Sequence, residues 1–448
     1  MRSIYVFWLT ALLLVFATFQ ARRWSNLALF DFDGGGYYAY LPSAFIYHDL
    51  GRADWIETKQ QHYRPGTHHS IGITPLPNGN VVPKYPMGVA VGALPWFVAA
   101  HWYAPVAGFA ADGFTRPYQR AMVLAGLAYG LLGLWVVRKL LLRYFSDGVT
   151  AWALAGVGLG TNFFCYASYE ANMSHAPLFL WHASLLYCTV LWYHTFRWRY
   201  AVGLGLFMGL ICLTRFSEAL YALIPLLWGI QRAADVPLRL HAWWQHRSQV
   251  LVAVVLAAAV LSLQLVFWRA TSGHWLLDTY VGERFDFAHP HILDGLFSFR
   301  KGWLLYTPMM ALALLGWLVL RRYVPAAWLP TLAVLPVAWY ITFSWGQWWY
   351  GGGFSARPLI SLYPLLALSL ASLVAYVGAH YRPWRPVLRG LMVVFILLNF
   401  LQTWQYRHGI LHWDSNTREL YMRNFFAVRR DQMWLPPGQP NPSAAPRD

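Results

Sequence analysis

The residues best suited to chemistry gather in a few polar stretches between long apolar runs. The first contains Asp31-Phe32-Asp33-Gly34-Gly35-Gly36-Tyr37-Tyr38-Ala39-Tyr40-Leu41-Pro42. A carboxylate beside three glycines sits on a backbone free to turn tightly, where it can take a proton from a substrate hydroxyl; the same residue types also make plain solvated turns. Lys84, within Val82-Pro83-Lys84-Tyr85-Pro86-Met87-Gly88, closes this stretch. Its ammonium can snorkel at the mouth of an apolar run or pair with a phosphate at headgroup depth. A further stretch holds Glu283, Arg284, Asp286, His289 and His291, then the adjacent cations Arg300 and Lys301 before Gly302. The next runs Trp348-Trp349-Tyr350-Gly351-Gly352-Gly353-Phe354-Ser355-Ala356-Arg357-Pro358. There, backbone N–H groups and a guanidinium can converge on an anion, while the aromatic faces suit either a sugar ring or an interfacial belt. Glu170, Asn172 and His175 occupy a short turn, as do Arg215 and Glu218.

The elements that must position these groups are membrane spans. Of 448 residues, 58% are hydrophobic and 12% charged, against about 25% charged in soluble domains, which excludes an ordinary cytosolic enzyme. A net charge of +16 with 26 Trp, 27 Tyr and 27 Phe matches the orientation charges and aromatic belts of a polytopic protein. The charge is scattered between apolar runs and forms no solvated stripe, which argues against a nucleic-acid partner. Cys165, Cys188 and Cys212 lie inside apolar segments and read as small core residues.

Segments long or apolar enough to be spans fall at 4–20, 88–111, 119–137, 149–166, 174–193, 201–213, 216–230, 249–268, 303–320, 325–343, 359–379 and 387–404. With the N-terminus inside and 88–111 held at the surface, the inside loops carry Arg2, Arg138, Lys139, Arg143, Arg197, Arg199, Arg232, Arg239, Arg247, Arg321, Arg322, Arg382, Arg385 and Arg389, while the short outside loops carry only Arg215 and Arg357. A crossing at 88–111 would place nearly all of these charges outside, against the positive-inside rule, and Pro95 and Pro105 suit a surface or re-entrant segment. The expectation is an all-α bundle of about eleven transmembrane helices, N-terminus in and C-terminus out, with juxtamembrane helices in the first outer loop. Residues 1–404 form one integral membrane domain with outer loops 21–87, 269–302 and 344–358. Residues 405–448 form an extracytoplasmic tail, disordered from Pro436 on. The spans hold almost no acids, whereas a transporter would keep its rare charges near the midplane; chemistry at one surface is favoured over translocation, with a lipid or envelope-precursor transporter as the alternative.

The runs Asp33 to Pro42, Lys84-Tyr85-Pro86-Met87-Gly88, Gly160-Thr161-Asn162-Phe163 with Glu170 and His175, Arg300-Lys301-Gly302 with Tyr306-Thr307-Pro308, and Trp348 to Arg357 together resemble bacterial membrane glycosyltransferases of the C-type superfamily, which includes protein O-mannosyltransferases and the aminoarabinose transferase of lipid A. The resemblance implies a polyprenyl-phosphate-linked sugar donor, a glycan, lipid or protein acceptor, and transfer at the outer face of a bacterial inner membrane among membrane lipids. It also implies a catalytic acid in the first outer loop. Asp33 has an aromatic four residues on, at Tyr37, as the pattern requires; Asp31 has Gly35 there. Relatives often carry a second acid where Gly34 stands, so no cofactor is expected, although a divalent metal is left open. On this reading Asp33 is the general base of an inverting transfer. Lys84, Arg300, Lys301 and Arg357 bind the donor phosphate, and Asp31, Tyr37, Tyr38, Glu170, His175, Trp348 and Tyr350 are substrate-binding candidates.

Overall fold

The computed structural model describes residues 2–66 and 71–436. Long runs of Leu, Ala, Val, Phe and Trp form helices because each backbone group must find its partner within the segment once water is excluded. Seven helices are long and apolar enough to cross a membrane: Arg2–Ser25, Gly88–Val106, Arg116–Leu141, Arg247–Ser272, Pro325–Phe343, Arg357–His380 and Arg382–Arg407. Each of the other expected segments is also helical, but Asp147–Leu159, Trp198–Thr214 and Met309–Tyr323 are 13, 17 and 15 residues long. Length and composition alone thus qualify seven helices as candidate spans.

The segment Arg357–His380 is 78% buried and forms the centre of the bundle, whereas Arg247–Ser272 is 11% buried. The latter leaves Leu251, Val254 and Val255 bare, an apolar surface of the kind that lipid covers. The described strands are Ile73–Pro75 and Val81–Pro83, an antiparallel hairpin with Thr74 opposite Val82. The hairpin was not foreseen; its runs are too short for an alternating pattern to register.

Contacts distinguish the two ends of the bundle. At one end Ser3 Oγ donates to Asp147 at 2.5 Å and accepts from Arg138 Nε at 2.9 Å, so the first helix starts where Arg116–Leu141 finishes. At the other end Trp24 packs with Val123 and Ala171. The helix Gly88–Val106 begins and ends in this second half. Gly88 abuts Thr214, next to Arg215, which reaches Ser174, and His101 Nδ1 lies 2.6 Å from Tyr118 OH near the start of Arg116–Leu141. Pro95 and Pro105 lie inside this helix without interrupting it.

Asp33 stands in the first turn of the helix Phe32–Tyr38, where a turn was expected. Its three glycines serve close packing: a Cβ at Gly35 would lie 2.8 Å from the Leu29 carbonyl, and one at Gly36 would lie 2.8 Å from the Tyr85 ring. The segment after the last long helix folds back onto the bundle. Asn416 Nδ2 donates to Tyr306 OH at 2.8 Å, and the Gln405 amide donates to the Asn424, Phe425 and Ala427 carbonyls. The expected disordered end, from 437 on, lies outside the described residues.

Candidate active site

The polar stretches converge on one cavity of about 830 Å³. Asp33, Lys84, Arg357, Asp31, Tyr37, Glu170, His175 and Tyr350 all line it, although they come from segments far apart in the chain.

Asp33 is the best-connected acid. Its Oδ2 lies 2.9 Å from Arg357 Nη2, and its Oδ1 accepts from Tyr85 OH. Burial pushes the Tyr85 phenol well up, and the Asp33 charge pushes it further, so Tyr85 stays a donor. Tyr85 also stacks on Tyr37, with ring centroids 4.5 Å apart. Arg357 is fixed in turn by donating to the Tyr350 carbonyl at 2.9 Å. Both carboxylate oxygens of Asp33 are thereby oriented, and each keeps a lone pair for an incoming hydroxyl.

The other charged side chains in the wall also have partners. Lys84 Nζ lies 2.6 Å from Glu283 Oε1 and stands over the Tyr280 and Phe32 rings at 5.0 and 5.3 Å. Arg23 meets Glu170 at 2.5 Å and Asp31 at 3.6 Å, and Arg64 meets Asp31 at 3.2 Å. Arg215 Nη2 donates to Ser174 Oγ at 2.9 Å and lies 3.3 Å from His175 Nδ1, while its Nη1 lies 3.2 Å from Glu218. Glu170 and His175 therefore do not pair with each other; each supports a different arginine. Among the described residues no three His, Cys, Asp or Glu side chains gather as they would around a metal ion.

Arg300 and Lys301, expected at the donor phosphate, lie behind the wall. Arg300 packs over the Trp349 ring at 3.5 Å and meets Asp414 at 3.2 Å. Lys301 is 3% exposed, and its ammonium donates to the Gly353 and Trp413 carbonyls. Burial lowers its pKa to about 7, with the nearby Arg357 adding to the effect. These two cations stitch the glycine-rich loop to the returning C-terminal segment. Two backbone N–H groups of that loop are spent as well: Gly353 donates to the Trp413 carbonyl and Phe354 to Tyr166 OH. Tyr38 points away, donating to the Gly113 carbonyl, and Trp348 stacks on His291 at 5.8 Å outside the cavity.

The sequence reading did not select Tyr85, Glu283, Arg23, Arg215, Glu218 or His182 for the site. Two signals could have found some of them: Arg215 is the other cation that the orientation count leaves outside, and Tyr85 adjoins Lys84. His182 gives no signal, being a lone histidine in an apolar run.

No family model matches the chain, and no curated protein does. Among solved structures it is similar to the crystal structure of ArnT from Cupriavidus metallidurans in the apo state, with 16% identity and a TM-score of 0.43 over 66% of this chain and 52% of that one. The chain thus spans about half the length of that structure.

Proposed function

We propose that this protein is a polytopic membrane glycosyltransferase that moves a sugar from a polyprenyl-phosphate-linked donor to a cell-envelope acceptor at the outer face of a bacterial inner membrane, through an odd number of spans with the N-terminus inside. The observation that carries the reading is the Asp33 carboxylate, held by Arg357 at 2.9 Å and by Tyr85 on the wall of a cavity that also presents Lys84 and Arg215.

The chemistry requires little more. An acceptor hydroxyl attacks the anomeric carbon as its proton passes to Asp33; the new C–O bond forms while the anomeric C–O bond to phosphate breaks, and the electron pair leaves on the phosphate. Phosphate needs no general acid to depart, so one carboxylate suffices where a hydrolase uses two. Lys84, Arg215 and Arg357 face the space where negative charge would grow on the leaving group, and fixed cations in a poorly hydrated site stabilise such charge strongly. Direct displacement inverts the anomeric configuration. Ala338, Ile341, Phe216 and Leu220 also line the cavity, giving an apolar side for a lipid tail. On this reading Arg300 and Lys301, which do not line the cavity, hold its glycine-rich wall in place. Purified protein supplied with radiolabelled polyprenyl-phosphate sugar tests the reading: label should leave the donor lipid in the wild type, and movement of intact lipid without cleavage would favour a transporter.

A further inference from the structure

Behind Arg215 lies a pair of buried side chains with no part in the transfer just described. His182 and Glu218 are 2% and 6% exposed. His182 Nδ1 lies 2.8 Å from the Leu178 carbonyl, which can only accept, so that nitrogen carries a hydrogen. Its Nε2 lies 3.2 Å from Glu218 Oε2, and neither atom has a hydrogen-bond partner elsewhere among the described residues. A neutral imidazole facing an ionised carboxylate would set two lone pairs against each other away from water, which is costly. The remaining oxygen, Oε1, accepts from Ser361 Oγ at 2.9 Å and Arg215 Nη1 at 3.2 Å. The Tyr221 ring closes the pocket edge-on to His182, with centroids 4.2 Å apart.

We propose that His182 and Glu218 hold one shared proton, so that the pair is neutral as a unit and Arg215 presents an uncancelled positive charge to the cavity. Its neighbours differ in this respect: Arg357 faces Asp33, Lys84 faces Glu283, and Arg23 faces Glu170. Whether the proton rests on nitrogen or oxygen, the three-residue unit carries a net charge of one. His182 is then a positioning residue that sets the charge of Arg215 through Glu218 without touching a ligand.

The proton is tested on the wild-type protein in lipid nanodiscs, independently of any activity. Nitrogen-15 spectra of labelled histidine, assigned with His182→Gln, should show both ring nitrogens of His182 protonated, or else the infrared difference between wild type and Glu218→Gln should contain a protonated-carboxyl band. An unprotonated Nε2 together with an ionised Glu218 would overturn the proposal. The second arm rests on the lipid-phosphate reading of the cavity. In His182→Gln the amide satisfies Glu218 without a proton and lets the carboxylate cancel Arg215. Affinity for a short-chain polyprenyl monophosphate should then fall about tenfold, and unchanged affinity in a folded variant would contradict the charge-setting role. If the spectra show the proton while neither protein binds the lipid phosphate, the shared proton stands and the lipid-phosphate reading fails.

Discussion

Arg357 Nη2 lies 2.9 Å from Asp33 Oδ2, tying the start of the central helix segment to the first turn of a short helix near the other end of the chain. The pair holds the proposed base and a leaving-group cation at one point, so a change in either residue reaches both functions. Arg357→Lys keeps the charge but is one bond shorter, so its ammonium falls short of the position from which Nη2 meets both Asp33 and the Tyr350 carbonyl. Its kcat/KM should fall roughly 10- to 100-fold, a loss of about 1.4–2.7 kcal/mol of transition-state stabilisation. Asp33→Asn combined with Arg357→Ala should cost much less than the sum of the single changes, as expected of residues in direct contact; additive losses in steady-state kinetics would mean that the two act separately.

Gly34 offers a test of packing at the site. A Cβ there would meet the Asn172 side-chain amide and lie 3.0 Å from the Ala28 carbonyl. Gly34→Ala should destabilise the protein by about 1–3 kcal/mol and lower turnover by shifting Asp33. Adding Asn172→Ala should recover part of the thermal stability, because the amide is the nearer obstacle. No recovery would place the strain on the backbone carbonyl.

Much of the site was legible in the sequence because carboxylates, glycines and exceptional cations stand out against an apolar background. Asp33, Lys84 and Arg357 are unusual residues in their surroundings, and all three line the cavity. Arg300 and Lys301 are equally unusual, yet they stitch loops together, because a buried cation is satisfied by carbonyls as readily as by a ligand and local sequence does not say which. The residue types beside Asp33 suit a tight turn, yet Gly34, Gly35 and Gly36 sit in a helix that needs them for clearance. Helix positions followed from apolar runs, whereas the pairing of His182 with Glu218 depends on how separate helices meet, which no local pattern records.

Lys301 should leave a mark on stability. Its ordinary value of 10.5 is lowered to about 7 in the folded protein, chiefly by burial. Above about pH 7 the unfolded chain holds a proton that the folded chain has shed, so the contribution of this residue to stability rises with pH until the unfolded lysine also titrates. Below about pH 7 both states are protonated and the full cost of burying the charge is present. The Tm of Lys301→Met should therefore exceed that of the wild type most at low pH, with the gap narrowing as pH rises through 7. A gap independent of pH would mean that the lysine is not titrating in the folded state.

Topology can be read by cysteine labelling. Glu57, Val106 and Arg143 are all exposed. Glu57→Cys and Val106→Cys should react with an impermeant maleimide from outside, and Arg143→Cys only from the cytoplasm. Opposite labelling of Glu57→Cys and Val106→Cys would mean that Gly88–Val106 crosses the membrane.

The most direct measurement is the turnover of Asp33→Asn in purified protein supplied with radiolabelled polyprenyl-phosphate sugar and envelope acceptor. Loss of the general base should lower kcat by roughly 10²- to 10⁴-fold, with the donor still bound and the fold intact by thermal unfolding. Sugar transfer at the wild-type rate by a correctly folded Asp33→Asn protein would contradict the assignment of Asp33 as the catalytic base.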